Sequence, residues 1–546
     1  MRPALAFEPE PLLEGAETER SPAPDPASKS LLRFITCGSV DDGKSSLLGR
    51  LLWETNSVFE DQAEALIRDS ARFGTTGKTP DLALLVDGLA AEREQGITID
   101  VAYRYFSTPR RAFIAADTPG HEQYTRNMAT GASTADCAII LVDARKGLLP
   151  QTRRHSYIVS MLGVRDVIIA INKMDLVEYS EAVFRAIERD YLALAPRLGF
   201  TRVHILPLSA REGDNVTRPS SRTPWYAGPS LLGLLETMDT RTGGDANFRF
   251  PVQWVNRPDA DFRGFSGTIA SGRLHLGDGV TILPRGGQSR ITRILTPSGE
   301  RKAAQQGEAI TLALADEIDV SRGDVIVATG SVMPASRRVT ARLLALAEAG
   351  IEPGRTYLVK LGTSLTRARI PALHHAIDVH DYRAQPVQVL PMNAIGLTTI
   401  EFEAPVYATR YAECRPLGSL LLIDTITNDA LALGVIEDIE PAHPPSAQPL
   451  SSPYKPRLAG ILVRLGVVPA GASRLDLARL ASWRLSCALL LGTVLFMLSA
   501  SPGMALGVAL VDLLLRPIWR GMHERVWLRW TRRQAREPLG IDGGGI

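Results

Sequence analysis

The 546-residue sequence predicts an α/β domain followed by two β-barrels and a C-terminal helical hairpin. From Leu31 to about Thr240, short apolar runs alternate with helical patterns, which predicts a mostly parallel sheet with helices on both faces. Short strands with Gly-rich turns follow, as expected for small antiparallel barrels. Beyond them no charge occurs between Arg484 and Asp512, a gap of 27 residues. A chain of this length should form several domains.

The domain boundaries follow from these changes in composition. The first thirty residues are rich in Ala, Pro and Glu without an apolar core, which predicts a disordered tail rather than a secretory signal. Pro441–Pro456 is rich in Pro and Ser, as in a linker. The predicted units are a tail at 1–30, the α/β domain at 31–242, barrels at 245–335 and 336–445, a linker at 446–480 and the hairpin at 481–546.

Within the α/β domain, five apolar runs are predicted to be buried strands, and Ser45–Trp53 carries leucines at helical spacing. Ligands of such folds bind beyond the carboxyl ends of the strands. The predicted strands are Leu31–Thr36, Ala112–Ala116, Cys137–Val142, Val167–Ile171 and Val203–Leu208. Arg263–Gly272 and the segments that follow it predict the first small antiparallel barrel, and strands of the second are predicted at Tyr357–Leu361, Thr398–Glu403 and Ser419–Asp424.

A phosphate-binding loop is predicted directly after the first strand. Gly38-Ser39-Val40-Asp41-Asp42-Gly43-Lys44-Ser45 fits the pattern G-x-x-x-x-G-K-[ST] and opens a helix, the context typical of a P-loop. Lys44 would reach the β- and γ-phosphates, and the Ser45 hydroxyl would coordinate Mg²⁺. The alternative is a chance Gly-rich turn. The candidate nucleotide-binding residues here are Gly38, Ser39, Val40, Asp41, Asp42, Gly43, Lys44, Ser45 and Ser46.

Two further segments are predicted to complete the phosphate site. Asp117-Thr118-Pro119-Gly120 ends a strand, so Asp117 could hold the Mg²⁺ shell and the Gly120 N–H could contact the γ-phosphate. Thr98, within Glu92–Asp100, would complete the Mg²⁺ shell and sense the γ-phosphate, which makes this stretch an ordering switch. The alternatives are a capping Asp and a charged loop entering a strand. The predicted metal ligands are therefore Ser45, Thr98 and Asp117, and Lys44 and Thr98 are also predicted to serve catalysis.

The base-binding residues are predicted at the ends of the next two strands. Asn172-Lys173-Met174-Asp175 follows Val167–Ile171, and the Asp175 carboxylate could accept hydrogen bonds from guanine N1 and its 2-amino group, which adenine does not present. Ser209-Ala210 follows Val203–Leu208 and could place a backbone N–H on guanine O6. Each signal is weak by itself, but their order and strand-end placement together predict a GTPase.

At these residues the chain resembles the translation-factor class of GTPases, because His121 follows Asp117–Gly120. The resemblance implies that His121 is catalytic and orients the attacking water, the role that Gln has in Ras-like proteins. As an isolated histidine it would more often be a surface residue.

The resemblance narrows to the GTPase subunit of bacterial sulfate adenylyltransferase over roughly residues 31–445. It rests on the Asp41-Asp42 pair, on Leu47-Leu48-Gly49-Arg50-Leu51-Leu52, on Glu92–Phe106, on Gly213–Val216 and on Pro224–Pro229. Elongation factors typically carry His where Asp42 stands. The resemblance implies that GTP hydrolysis, with Mg²⁺, drives formation of adenosine 5′-phosphosulfate from ATP and sulfate. ATP and sulfate would bind to a separate nucleotidyltransferase subunit, with which this chain would form a heteromer. A second P-loop, as in a fused adenylylsulfate kinase, does not occur in the sequence.

Charge separates the body of the chain from its end. From Ser451 onward there are 13 Lys and Arg against 5 Asp and Glu, whereas the rest of the chain has 48 against 54. An acidic body gives no electrostatic reason to expect a nucleic-acid partner. The four cysteines are far apart in sequence and form no C-x-x-C pair, which argues against structural zinc and a disulfide framework.

The C-terminal segment resembles a small membrane family with two helices and a terminal His-Glu-Arg-x-Trp, here His523–Trp527. Pro502-Gly503 divides the apolar stretch, and a hairpin keeps Arg484 and the later arginines on the cytoplasmic side. We therefore expect a cytoplasmic GTPase body attached to the inner face of the cytoplasmic membrane. The alternative is a buried helical hairpin of a soluble protein.

Three functions remain open from the sequence. They are a GTPase subunit of sulfate activation, a ribosome-associated translational GTPase, and a membrane-tethered regulatory GTPase. The second should present a basic surface to RNA, which the acidic body does not favour.

Overall fold

The computed structural model describes residues 29–73, 80–86, 92, 98–239, 247–259 and 262–441. The predicted linker at 446–480 and hairpin at 481–546 lie outside the described residues, as does nearly all of the predicted tail at 1–30. Among the described residues, none of the helices has both the length and the apolar character that crossing a bilayer requires. The membrane hairpin therefore stays a prediction from sequence.

A six-stranded sheet forms the centre of the first domain, in the order β2-β3-β1-β4-β5-β6. β1, β3, β4, β5 and β6 run parallel, and β2 lies antiparallel on β3. The strands are β1 (Ser30–Cys37), β2 (Ala102–Ser107), β3 (Arg111–Asp117), β4 (Cys137–Asp143), β5 (Asp166–Asn172) and β6 (Arg202–Pro207). The five predicted strands are thus present. The edge strand β2 was not predicted, because its apolar and polar residues alternate instead of forming the continuous run of a buried strand.

Helices cover both faces of this sheet, as the alternating pattern predicts. All seven residues of β4 are buried, with Ile140 facing a core that contains Met128, Ile158 and Phe184, and Ile139 facing the opposite core. The helices are α1 (Lys44–Glu54), α2 (Glu60–Phe73), α3 (Thr125–Ser133), α4 (Pro150–Met161), α5 (Glu181–Leu194) and α6 (Leu231–Thr237).

The register of the parallel strands aligns their carboxyl ends. Thr36 pairs with Asp117 across β1 and β3, and Asp143 pairs with Asn172 across β4 and β5. The loops after these strands therefore meet at one edge of the sheet, where ligands of such folds bind.

The second domain is a barrel that closes through a single chain segment. β7 pairs with β16, and after two residues the same segment continues as β8, which pairs with β9. The sheet order between these ends is β7-β16-β11-β12-β15-β9-β8, with β13 on β12 and a separate β10–β14 pair. The strands are β7 (Arg249–Pro251), β8 (Trp254–Asn256), β9 (Gly264–Thr268), β10 (Arg273–His275), β11 (Gly279–Leu283), β12 (Gly287–Thr296), β13 (Gly299–Arg301), β14 (Ala303–Gln305), β15 (Ala309–Leu314) and β16 (Val325–Ala328).

The third domain is a second barrel, closed by pairing of β17 with β22. Its order is β17-β24-β23-β18-β19-β22, and β20 and β21 extend the sheet beyond β22. The three strands predicted here lie in β18, β22 and β23. The strands are β17 (Ala335–Ala345), β18 (Thr356–Leu361), β19 (Ser364–Arg369), β20 (Leu373–Ile377), β21 (Ala384–Gln385), β22 (Ile395–Tyr407), β23 (Ser419–Ile423) and β24 (Ala430–Glu440).

This second barrel packs directly on the α/β domain. Leu344, Ile395, Tyr411 and Val435 belong to the same apolar core as α3, α4 and α5. The Tyr411 hydroxyl donates a hydrogen bond to the carbonyl oxygen of Leu162 (2.9 Å) at the end of α4. The end of α4 is therefore in direct contact with the second barrel.

The cysteines of the described residues are unpaired and buried. Cys37 ends β1, Cys137 begins β4, and Cys414 lies where the two barrels meet. Burial raises the pKa of the Cys37 thiol to about 12 and also raises the pKa of Cys137 and Cys414. These three thiols serve as small apolar side chains in the core.

Candidate nucleotide-binding site

The phosphate-binding loop predicted from sequence joins β1 to α1. Its backbone has positive φ at Gly38 (149°), Asp41 (66°) and Gly43 (92°). A Cβ at Gly43 would lie 2.5 Å from Nδ2 of Asn172, and a Cβ at Gly38 would lie 2.8 Å from the carbonyl oxygen of Leu141. Glycine is therefore required at both positions by backbone conformation and by close approach.

Lys44, the first residue of α1, lies beneath this loop. Its Nζ donates to the carbonyl oxygens of Ser39 (2.7 Å) and Gly38 (3.4 Å). Burial lowers the pKa of Lys44, while the carboxylates of Asp117 and Asp42 act in the opposite direction. Gly120 packs on this group, since a Cβ there would lie 2.5 Å from the lysine Nζ. The loop therefore holds a buried ammonium at its centre, next to Gly120.

Three oxygen-bearing side chains meet beside the lysine. The Ser45 Oγ donates to Asp117 Oδ2 (2.7 Å) and lies 3.3 Å from Thr98 Oγ1. Asp117 also accepts from Thr36 Oγ1 (2.7 Å), its strand partner. Burial raises the pKa of Asp117, against the hydrogen bonds from Thr36 and Ser45. The structure thus brings together the three predicted metal ligands, and hydroxyl and carboxylate oxygens are the ligands that Mg²⁺ prefers.

Asp42 closes the loop on itself. Its Oδ2 accepts from the Ser39 backbone N–H (2.6 Å), and the residue is 1% exposed. Asp42 Oδ1 and Ser39 Oγ are both buried without a hydrogen-bond partner. Burial raises the pKa of this carboxyl, with the nearby Lys44 acting in the opposite direction. Val40 is half-buried and Asp41 is exposed, so the outer part of the loop faces solvent.

Asn172 links the phosphate loop to the predicted base-binding loop. Its Nδ2 donates to the carbonyl oxygen of Asp42 (2.7 Å), and its Oδ1 accepts from the Ala210 N–H (2.9 Å). The residue is 2% exposed. Both of its hydrogen-bonding groups are thus used to hold two loops together.

Asp175 and Ser209 lie next to this bridge. Ser209 Oγ donates to Asp175 Oδ1 (2.6 Å), which leaves the second carboxylate oxygen of Asp175 for a ligand. The loop after β6 is braced by the Tyr179 hydroxyl, which donates to Asp214 Oδ2 (2.6 Å). The base-binding residues predicted from two separate segments are therefore adjacent.

Lys173 is held by a carboxylate that the sequence analysis did not identify. Asp143, at the end of β4, forms ion pairs with Lys173 (3.0 Å) and Arg145 (2.6 Å). Burial alone would raise the pKa of Asp143, but these hydrogen-bonded cations hold it well below its usual range. Lys173 Nζ also donates to the Asp41 carbonyl oxygen. A charged bridge thus ties the base side to the outer phosphate loop.

A cleft of about 630 Å³ opens over these residues. Its lining includes six predicted residues: Gly43, Ser46, Asn172, Lys173, Asp175 and Ala210. It also includes Arg50 and Trp53 of α1 and the segment Pro80–Leu82, which the sequence analysis did not identify. Arg50 Nε donates to the Ala210 carbonyl oxygen (3.1 Å), so α1 helps to hold the base loop.

His121 lies on an exposed turn at the rim of the phosphate site. Its Nδ1 accepts from the Gln123 N–H (3.3 Å) and so caps the short helix Glu122–Tyr124. The contacts described for His121 are with this turn, and none joins it to Ser45, Thr98 or Asp117. His121 therefore follows Gly120 in the chain as predicted, but its ring is hydrogen-bonded within its own turn.

The predicted switch Glu92–Asp100 is described only at residue 92 and residues 98–100. The Glu92 Oε1 accepts from the N–H groups of Ile99 (3.0 Å) and Asp100 (3.3 Å). Asn127 Nδ2 donates to the Ile99 carbonyl oxygen (2.8 Å). These contacts hold the backbone on the carboxyl-terminal side of Thr98.

Comparison with known proteins gives matches for both ends of the described chain. Residues 29–243 match the family of the elongation factor Tu GTP binding domain, and residues 338–437 match the GTP-eEF1A C-terminal domain-like family. Two proteins named sulfate adenylyltransferase subunit 1, from Aliivibrio fischeri strains MJ11 and ATCC 700601 / ES114, are each 53% identical over 414 residues. The alignments cover 75% of this chain and 87% of each relative.

A solved structure of the S. cerevisiae Ski7 GTPase-like domain, bound to GDP and inorganic phosphate, is a distant match. It is 17% identical, with 75% of this chain and 97% of that chain covered and a TM-score of 0.45. A likeness at this level bears on no functional question.

Proposed function

The chain belongs to the sulfate adenylyltransferase subunit 1 family, and from this premise we propose that it couples GTP hydrolysis to sulfate activation. The uphill reaction is formation of adenosine 5′-phosphosulfate and pyrophosphate from ATP and sulfate, on a separate nucleotidyltransferase subunit. The observation that carries the proposal is the bridge made by Asn172, which joins a phosphate loop to a base loop in one cleft.

The phosphate side supports a Mg²⁺-dependent GTPase. We assign Lys44 and the backbone N–H groups of the loop to the phosphates, except those of Gly38 and Ser39, which already donate to side chains of the protein. Ser45, Thr98 and Asp117 would hold Mg²⁺, since Ser45 Oγ already lies 3.3 Å from Thr98 Oγ1 and 2.7 Å from Asp117 Oδ2. When bound, the ion neutralises charge on the β- and γ-phosphates. Gly120, packed on Lys44, would then offer its N–H to the γ-phosphate.

The base side supports guanine over adenine. Asp175 has one carboxylate oxygen committed to Ser209, and its other oxygen can accept from the guanine N1 and 2-amino donors. The Ala210 N–H is already bound to Asn172, so Ser209 and Ala210 serve to form the loop that approaches guanine O6. Adenine has no donor at N1 and would leave the second carboxylate oxygen of Asp175 without a hydrogen bond, which weakens binding of adenine nucleotides.

We propose that His121 orients the attacking water once it leaves its local contact. In the described structure its Nδ1 is bound to the Gln123 N–H. Rotation of the ring towards Gly120 and the γ-phosphate would therefore accompany the active state. A partner subunit that favours this rotation of the His121 ring would accelerate GTP hydrolysis.

Close relationship to named subunits of sulfate adenylyltransferase favours this function over a ribosomal one. The predicted membrane hairpin at 481–546 is independent of it, because every residue assigned to the nucleotide precedes Arg211. We retain membrane attachment of the cytoplasmic body as a proposal that rests on sequence alone.

The test is reconstitution with the nucleotidyltransferase subunit. Full-length chain should hydrolyse GTP slowly by itself and faster when the partner, ATP and sulfate are all present, with adenosine 5′-phosphosulfate formed in step. Lys44→Ala should abolish both activities. GTP hydrolysis that does not respond to the partner would refute coupling, and absence of guanine-nucleotide binding would refute the whole proposal.

Membrane attachment needs a separate measurement. Cell fractionation of full-length chain and of a chain ending at residue 480 should show only the former in the membrane fraction. Full-length chain that remains wholly in the supernatant would contradict the hairpin without affecting the GTPase proposal.

A further inference from the structure

A buried histidine holds the first amide of the phosphate loop. His155, on α4, is fully buried, and its Nδ1 accepts a hydrogen bond from the Gly38 N–H (3.1 Å). Since Nδ1 is the acceptor, a neutral His155 must carry its proton on Nε2. Burial lowers the pKa of His155 to about 3, so the ring is neutral at physiological pH.

Gln151 cannot accept hydrogen bonds from both of its neighbours, His155 and Arg154. Gln151, one turn earlier on α4, places its Nε2 2.9 Å from His155 Nε2, while its Oε1 accepts from Arg154 Nη1 (2.8 Å). Two N–H donors thus face each other at the histidine. If the amide turned over, its oxygen would accept from His155, but its NH₂ group would then face the Arg154 guanidinium. Only one of the two neighbours can therefore have the Gln151 oxygen at a time.

Arg154 carries the connection to the turn that contains His121. Its guanidinium forms an ion pair with Glu122 (2.8 Å), the residue after His121. Arg154 Nε is buried and has no partner. The backbone carbonyl of Glu122 in turn accepts from Nδ2 of Asn393 (3.1 Å), which precedes β22 of the second barrel. A chain of polar contacts thus runs from the phosphate loop to the barrel.

We propose that these residues form a relay that sets the rate of nucleotide release. In it the Gln151 amide oxygen accepts a hydrogen bond either from His155, which supports the phosphate loop, or from Arg154, which supports the His121 turn. We call it the His155 relay, and its members are Gly38, His155, Gln151, Arg154, Glu122 and Asn393. With its oxygen on His155, Gln151 anchors the loop and slows release. With its oxygen on Arg154, it secures the His121 turn and leaves the loop less constrained. Movement of the second barrel at Asn393 would bias this choice. The inference rests on the proposed nucleotide site and concerns positioning residues, not groups that touch the nucleotide.

The relay predicts opposite effects from two changes at one position. Gln151→Glu supplies two acceptor oxygens, one for His155 Nε2–H and one for Arg154, so GDP release should slow. Gln151→Met supplies none, so release should quicken. Each effect should be roughly 2- to 10-fold, as expected for one hydrogen bond.

The measurement is dissociation of fluorescently labelled GDP from the full-length chain, together with its thermal unfolding. Two variants are controls. Thr130→Glu adds the same charge at an exposed position on α3, and Ser156→Ala removes two buried hydrogen bonds on α4 outside the relay, to the Thr152 carbonyl oxygen and from the Tyr191 hydroxyl. Both should release GDP at the wild-type rate. Changes of the same sign in the two Gln151 variants, or rates equal to the controls, would overturn the proposal. Failure of the wild-type chain to bind labelled GDP would instead refute the nucleotide site itself and the relay with it.

A double-mutant cycle tests the link to the barrel. Asn393 has a positive φ of 64°, so Asn393→Gly removes the side chain without strain on the backbone. We expect Asn393→Gly to change the GDP release rate in the wild-type chain but not in Arg154→Met, where the relay is already broken. Additive effects of the two substitutions would show that the barrel is not coupled through Arg154.

Discussion

Asn172→Ala tests the bridge on which the proposed site depends. Asn172 is 2% exposed and makes two hydrogen bonds, to the Asp42 carbonyl and from the Ala210 N–H. The alanine variant leaves both of these groups buried and unpaired, at a cost of about 1–3 kcal/mol each in folding free energy. Because nucleotide binding requires both loops in place, about 1–3 kcal/mol should also appear in binding, which weakens GDP affinity roughly 5- to 150-fold.

The assay pairs equilibrium titration of fluorescent GDP with thermal unfolding in the absence of nucleotide. Ser336→Ala is the matched control, because Ser336 is fully buried in the second barrel and its Oγ makes two hydrogen bonds, one donated to the Glu440 carbonyl oxygen and one accepted from the Arg338 N–H. It should lower the unfolding temperature and leave GDP affinity unchanged. If Asn172→Ala loses stability to a similar extent but keeps wild-type GDP affinity, the bridge is structural only and nucleotide binding does not depend on it.

Three further outcomes are expected. Asp175→Asn should weaken GTP and relatively improve xanthosine triphosphate, measured by competition binding; unchanged preference for GTP would contradict the guanine assignment. His121→Ala should leave GTP affinity nearly intact and slow hydrolysis by roughly 10²-fold, whereas Lys44→Ala should impair both, and equal losses in both for His121→Ala would count against a water-orienting role. Since folded His155 stays neutral down to about pH 3 and an unfolded histidine takes up a proton near 6.5, the unfolded state binds more protons between these values and stability falls as the pH is lowered. From pH 6.5 to about 5 this amounts to about 2 kcal/mol, and His155→Gln should flatten that part of a denaturant-unfolding profile; an unchanged slope would contradict a buried neutral imidazole.

Local patterns were sufficient to predict the α/β domain and both barrels. The strands before Gly38, Asp117 and Asn172 are continuous apolar runs, and polar motifs follow them directly, so their convergence at one sheet edge follows from parallel topology. β2 escaped prediction because only one of its faces is covered. The roles of the individual site residues stay predictions until the variants above are measured.

Residues that act through tertiary contact could not be found in this way. His155 and Asp143 belong to no motif, and only the packing of α4 and the end of β4 against the phosphate loop shows that they support it. The link from Glu122 to Asn393 spans 271 positions in the chain, which no local periodicity encodes. For His121, the sequence predicts a catalytic position. It does not predict the orientation of the ring, which is held by a hydrogen bond from the Gln123 N–H to His121 Nδ1.

The burial of Cys37, Cys137 and Cys414 has a practical consequence for the end of the chain. Thiol reagents attack the thiolate, and these three groups are both inaccessible and difficult to ionise. The fourth cysteine, Cys487, lies outside the described residues and within the segment predicted to enter the membrane. Any labelling by a maleimide fluorophore under native conditions should therefore come from Cys487, without any substitution. An environment-sensitive dye placed there would report, by its emission colour on addition of lipid vesicles, whether that segment meets hydrocarbon.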